Sequence, residues 1–185
     1  MNNEKYETLE SIFNNVNEWL KFAEAKNAIL IALTGASLTA AIGYLCGENP
    51  PTNFYLKLYL FNFLLFSILG IALSLISFLP QTKLSWLWRE GQKKENPNYF
   101  FFNDLACFSP DDLLKFLYKE NNSSSLNVLR KNLACQIITN SKICRRKFHF
   151  FRVALWFILA SIFTPLISIS LYLLFDPNWH GTNSN

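Results

Sequence analysis

Three stretches of this chain, 28–46, 58–79 and 153–175, contain no charged residue. At a helical rise of ~1.5 Å per residue, about 20 residues cover a hydrocarbon core of ~30 Å, and each stretch is near that length. The sequence runs to 185 residues, 51% of them hydrophobic, with 18 Phe and 5 Trp. A soluble domain of this size has too little polar chain to cover three such helices. The expected fold is mainly α: three transmembrane helices, with a small cytosolic helical domain built from helix extensions and the 81–152 segment. A cleaved signal peptide is not expected. The 27 residues before the first run are mostly polar and carry five acids, where a signal would need a short basic region.

Lys and Arg set the expected orientation. Thirteen of the 17 lie between positions 81 and 152; Lys5, Lys21 and Lys26 precede the first run, and only Lys57 lies in the loop after it. The positive-inside rule then places 1–27 and 81–152 in the cytosol, and the 47–57 loop and the 176–185 tail in the periplasm, as three crossings of an inner membrane require. The organisation expected is a cytosolic amphipathic helix at 1–27, spans at 28–46, 58–79 and 153–175, a cytosolic sensing module at 81–152 and a periplasmic tail.

Both flanking segments read as amphipathic helices that continue into spans. Leu9, Ile12, Phe13, Val16, Trp19, Leu20 and Ala23 form an apolar stripe before the first span, and nothing from 9 to 43 breaks a helix. Leu126, Leu129, Leu133, Ile137 and Cys144 form a second stripe before the third. Each stripe needs cover, and the other is the simplest cover. Arg145, Arg146, Lys147 and Arg152, among Phe148, Phe150, Phe151 and Trp156, mark the point of membrane entry. Trp86 and Trp88, beside Lys83 and Arg89, are expected anchors after the second span, which ends near Pro80; 91–98 is a loop by composition, and 121–125 breaks a helix. Tyr99 to Phe108, dense in aromatics, reads as a short strand or extended segment. Ser109, Pro110, Asp111 and Asp112 read as a helix start, sending Leu113, Leu114, Phe116 and Leu117 inward. Gly35, Ala36, Ser37, Ala40, Ala41 and Gly43 concentrate small residues in the first span, either an oligomer seam or pore lining, or packing within one subunit.

No catalytic template fits. There is no Walker A, GxGxxG, GxSxG or HExxH pattern, His149 and His180 fall on opposite sides, and Asp104 has no second carboxylate nearby in sequence. An enzyme is therefore not expected, nor a metal, a cofactor or a nucleic-acid partner. Cys46, Cys107, Cys135 and Cys144 give no CxxC spacing and no disulfide framework. Segment 81–152, with 13 bases against six acids, favours anionic lipid headgroups first and an anionic ligand second. Lys142, Arg145, Arg146 and Lys147 supply donors for phosphate, and nearby rings offer faces for a base.

The order of three segments resembles the Pycsar effector family, the membrane effectors of pyrimidine-cyclase antiphage systems. These are NEWLKFAEAKNAILIALTGA at 17–36, YFFFNDLACFSPDDLL at 99–114 and LACQIITNSKICRRKFHFFRVALW at 133–156. Within them, Trp19, Ala23, Glu24 and Lys26, then Asp104, Leu105 and Ala106, then Gln136, Ile137, Ser141, Lys147 and Phe148 follow the family's pattern, with Glu24 where Asp is the commoner acid. The resemblance implies an effector that senses cyclic CMP or cyclic UMP from a cognate cyclase and impairs the host inner membrane as a homo-oligomer, an abortive infection. A related reading is a membrane effector answering another nucleotide signal. On the first reading, Lys26, Arg145 or Lys147 pairs with ligand phosphate and Trp19 or Phe101 stacks on the base. Asn103, Asp104, Gln136, Asn140 and Ser141 then read the base edge or sugar. The competing classes are a constitutive membrane scaffold that binds lipid or a protein partner and, more weakly, a transporter, for which three uncharged spans offer no midplane site.

Overall fold

The computed structural model describes residues 2–79, 97–118 and 128–175, and among them there are five helices and no strand. They are α1 (Asn2–Cys46), α2 (Phe54–Ile76), α3 (Phe102–Leu105), α4 (Pro110–Tyr118) and α5 (Val128–Phe175). Three of them, α1, α2 and α5, are long and apolar enough to cross a membrane. The chain is a mainly α, multi-pass membrane protein. The anchors expected at Trp86 and Trp88, the second span's end at Pro80, most of the 91–98 loop, the 121–125 break, Leu126 and the tail with His180 lie outside the described residues.

The chain divides into two compact units. The first, called the head here, comprises Met1–Asn27 and Ser77–Phe150; the second, the membrane unit, comprises Ala28–Ile76 and Phe151–Asn185. Helices α1 and α5 each contribute residues to both.

The head core is the meeting of the two stripes. Leu9, Ile12 and Val16 of α1 and Ala134, Ile137, Ile138 and Cys144 of α5 are buried together with Phe102, Leu105, Leu113, Leu114 and Tyr118. Fully burying one such aliphatic side chain stabilises by roughly 1.5–3 kcal/mol, which is why the extensions fold onto each other. The α5 stripe starts a turn later than its spacing predicts, because Leu129 is 58% exposed. In α4, Leu113 and Leu114 point inward, but Phe116 is 50% exposed and stacks on the Tyr99 ring at 3.6 Å. The start of α4 is the one expected: Ser109 Oγ accepts the Asp112 N–H (3.1 Å), and Asp112 Oδ2 accepts the Ser109 N–H (3.2 Å).

The short strand or extended segment expected at 99–108 is instead a run of turns around the short helix α3. Asn98 opens a turn, with its Oδ1 accepting the Phe100 N–H and its carbonyl accepting the Phe101 N–H. Asp104 Oδ2 then accepts the Asn98 N–H at 3.1 Å, closing the segment on itself. Aromatic β propensity is real but yields to such local closure.

In the membrane unit, α2 begins at Phe54, where Asn53 caps it: its Oδ1 accepts the Tyr55 N–H at 2.8 Å. Small residues bring α2 and α5 together. Ser67 Oγ donates to Ser161 Oγ (3.2 Å), Ser161 Oγ donates to the Ile158 carbonyl, and Gly70 lies against Ile158 and Ala154. The small face of α1 is different. A Cβ placed on Gly35 or Gly43 meets no described residue within 4 Å, and Ala36, Ser37 and Ala40 are exposed. Among the described residues, that face is open.

Candidate functional site

The polar groups of the head follow from the register of α1 and α5. Once Val16, Ile137 and Cys144 are turned into the core, residues at the stripe edges must meet across the two helices. Asn140 Nδ2 donates to Asn17 Oδ1 at 2.8 Å, and Lys147 Nζ lies 2.8 Å from Glu24 Oε1. The Lys147 side chain is only 9% exposed, while that of Glu24 is 47% exposed. The carboxylate thus sits on the solvent side of a nearly buried ammonium. The Phe78 ring, 5.2 Å from Lys147 Nζ, closes another side. Glu24 and Asn17 also line an open groove along α1 with Asn14, Glu18, Leu20 and Lys21.

A cluster of aromatic rings lines the other edge of the α1–α5 seam. Trp19 is half-buried, 5.4 Å from Phe102, 6.1 Å from Phe22, 6.2 Å from Phe148 and 6.4 Å from Phe101. Phe102 and Phe148 are stacked at 5.1 Å. Lys26 Nζ sits 4.3 Å from the Phe22 ring centre and 5.8 Å from that of Phe148. Trp19 is therefore gathered with Lys26, Phe101 and Phe148, whereas Asn140 and Lys147 meet Asn17 and Glu24, which at ~100° per residue project about 140–160° from Trp19 around α1.

The other residues picked out in the sequence lie apart from both groups or are sealed. Arg145 and Lys147 are two positions apart, yet at ~100° per residue they project about 160° from one another around α5. Arg145 Nη1 accordingly reaches Cys107 Sγ at 3.1 Å, and that thiol donates to the Asn103 carbonyl at 3.6 Å. Asp104 is buried beside them, its Oδ2 holding the Asn98 N–H. These contacts fix the α3 segment to α5. Ser141 is fully buried, with no hydrogen-bond partner for its Oγ. Gln136 is exposed, one turn before Asn140.

Burial pushes the Cys144 thiol up to about 12, against the opposing pull of Lys147. This cysteine lies outside the uncharged run of α5, and at neutral pH it remains a protonated core residue without nucleophilic character. All four cysteines are free. Among the described residues, no three His, Cys, Asp or Glu side chains gather as a metal site would require.

Three partners escaped the sequence reading of the site. Glu24 and Asn17 were visible only as part of the 17–36 segment. Asn27, fully buried, donates through Nδ2 to Ser77 Oγ at 3.0 Å. An Asn on the buried face of an otherwise apolar stripe was the available signal for it.

The model of the Pycsar effector protein domain matches residues 8–174, nearly the whole chain. Comparison with curated proteins gave no match, and neither did comparison with solved structures.

Proposed function

Since the chain belongs to the Pycsar effector family and is an effector of antiphage defence, we propose that it is a ligand-gated membrane effector whose head binds a cyclic pyrimidine mononucleotide, cCMP or cUMP. The observation that carries the ligand reading is Lys147. It is a nearly buried cation between α1 and α5, paired with the Glu24 carboxylate that lines an open groove along α1. A phosphate takes the ammonium; the Trp19 and Phe101 rings, expected to stack on the base, lie on the far edge of α1 from it. Asn140 and Asn17 sit where a sugar or base edge has partners. Arg145, Asn103 and Asp104 hold α3 in place rather than touching the ligand.

The head faces the cytosol in this reading, following the lysine and arginine distribution. Ligand binding favours one packing of α1 against α5, and the differential affinity for that packing is the driving force. Both helices continue unbroken into spans, so a changed packing in the head has a direct route to the bilayer. Several copies then associate through the open Gly35, Ala36, Ala40 and Gly43 face of α1 and impair the inner membrane.

Thermal unfolding of the detergent-solubilised protein tests the ligand. A ligand at 100 times its Kd stabilises by about 2.7 kcal/mol, or roughly 5–10 °C for a chain of this length. Either cCMP or cUMP is expected to give such a rise, and cAMP none. No shift with either pyrimidine nucleotide removes the ligand from the account.

A further inference from the structure

Resting on the ligand reading above, we infer that Glu24 is a built-in competitor for the ligand phosphate and holds the head in its ligand-free packing. Lys147 does not present a vacant charge. Its ammonium is 2.8 Å from the Glu24 carboxylate, and that carboxylate is the more exposed partner by 47% to 9%. With the Phe78 ring on another side, an incoming anion reaches the ammonium by displacing the carboxylate. The exchange replaces one monoanion with another, because a cyclic phosphodiester carries a single negative charge as a carboxylate does. Net charge at Lys147 is conserved, so the contacts made by the rest of the nucleotide decide the exchange, and inorganic anions gain little.

The displaced group has somewhere to go. Glu24 lies at the margin of the open groove lined by Asn14, Asn17 and Lys21, where water solvates it. Its release also removes an inter-helical tie from the last head turn of α1, three residues before Asn27 ends that part of the unit. Asn140–Asn17 and Asn27–Ser77 remain to either side along α1, so loss of the Glu24 contact loosens one turn while the core stays closed. The acid at position 24 and the lysine at 147 therefore form a latch that the ligand opens.

The test is the Kd of Glu24→Gln for cCMP and cUMP, measured by calorimetry on the full chain in detergent beside the wild type. Glutamine keeps the shape and removes the charge; Glu24→Ala, at an exposed position, is the second variant. Both are expected to bind about three- to fivefold more tightly, the factor an ion pair of this exposure is worth. Wild-type binding with unchanged or weaker binding by both variants overturns the latch and leaves the ligand reading standing. Absence of wild-type binding to both nucleotides overturns the ligand reading and the latch together.

Discussion

Lys147→Ala will lower affinity for the activating cyclic nucleotide by about 3- to 30-fold. One charge-assisted hydrogen bond worth roughly 1.5–3 kcal/mol is removed, offset by the roughly three- to fivefold cost of displacing Glu24, a cost the variant no longer has. It will also abolish ligand-dependent membrane damage in cells without reducing the amount of inserted protein. The fold survives because the partner left behind, Glu24, is half in water and is not stranded as a buried charge. Ion pairs of that kind are worth at most about 1 kcal/mol to stability. Lys147→Met separates the two roles of the side chain, since it keeps an unbranched stem against Phe78 and removes only the charge. It should melt near the wild type and bind as poorly as the alanine variant. Normal toxicity of a well-inserted Lys147→Ala protein removes this residue from the mechanism.

Gly70→Leu will disrupt the membrane unit, whereas Gly35→Leu will not. A Cβ at position 70 lies 2.7 Å from Ile158 Cγ1 and 3.2 Å from the Ala154 carbonyl oxygen. The isoleucine is buried and the carbonyl is backbone, so α2 and α5 have to move apart to admit the larger side chain, and the Ser67–Ser161 bond is lost with them. Overpacking of this kind costs about 1–3 kcal/mol, or roughly 2–12 °C in the unfolding midpoint of a chain this long. At position 35 the same Cβ meets no described residue within 4 Å. Gly35→Leu should leave the midpoint of the single chain within a degree or two and act on assembly instead, lowering the oligomer population in crosslinking. Equal midpoints for the two variants would contradict the packing of α2 on α5 described above.

The contrast between these glycines shows where the sequence was legible. Charge-free length alone counted three helices able to cross a membrane, and periodicity located Leu9, Ile12, Val16, Ile137 and Cys144 as buried, because burial of a helix face is a local property of spacing. The Ser109 cap was readable for the same reason. Small residues were not so readable: Gly35 and Gly70 both suit close helix contacts, and which of them is occupied depends on a partner distant in sequence. The short strand or extended segment expected at the aromatic run failed because Asp104 closes a turn six residues back, a hydrogen bond that propensity does not contain. Phe116 and Leu129 were turned the wrong way because a stripe read at helix ends has too few neighbours to fix its edge.

The site was legible as a composition and illegible as a geometry. Lys147 and Asn140 were picked out and do meet α1 along one edge, but Arg145 and Trp19 were grouped with them although helix geometry places both on nearly opposite sides. Ser141, read as a ligand contact, is sealed in the core. Glu24, the group that most alters the meaning of Lys147, stands 123 positions away in the chain, and only the fold brings them together.

The most direct test of the central claim is dye leakage from liposomes containing the purified chain, with cCMP, cUMP, cAMP and a cyclic dinucleotide added separately. The account requires tight vesicles without ligand and rapid leakage with a pyrimidine cyclic mononucleotide alone. Leakage that ignores all four compounds, or vesicles that stay sealed with all four around correctly folded and inserted protein, would contradict it.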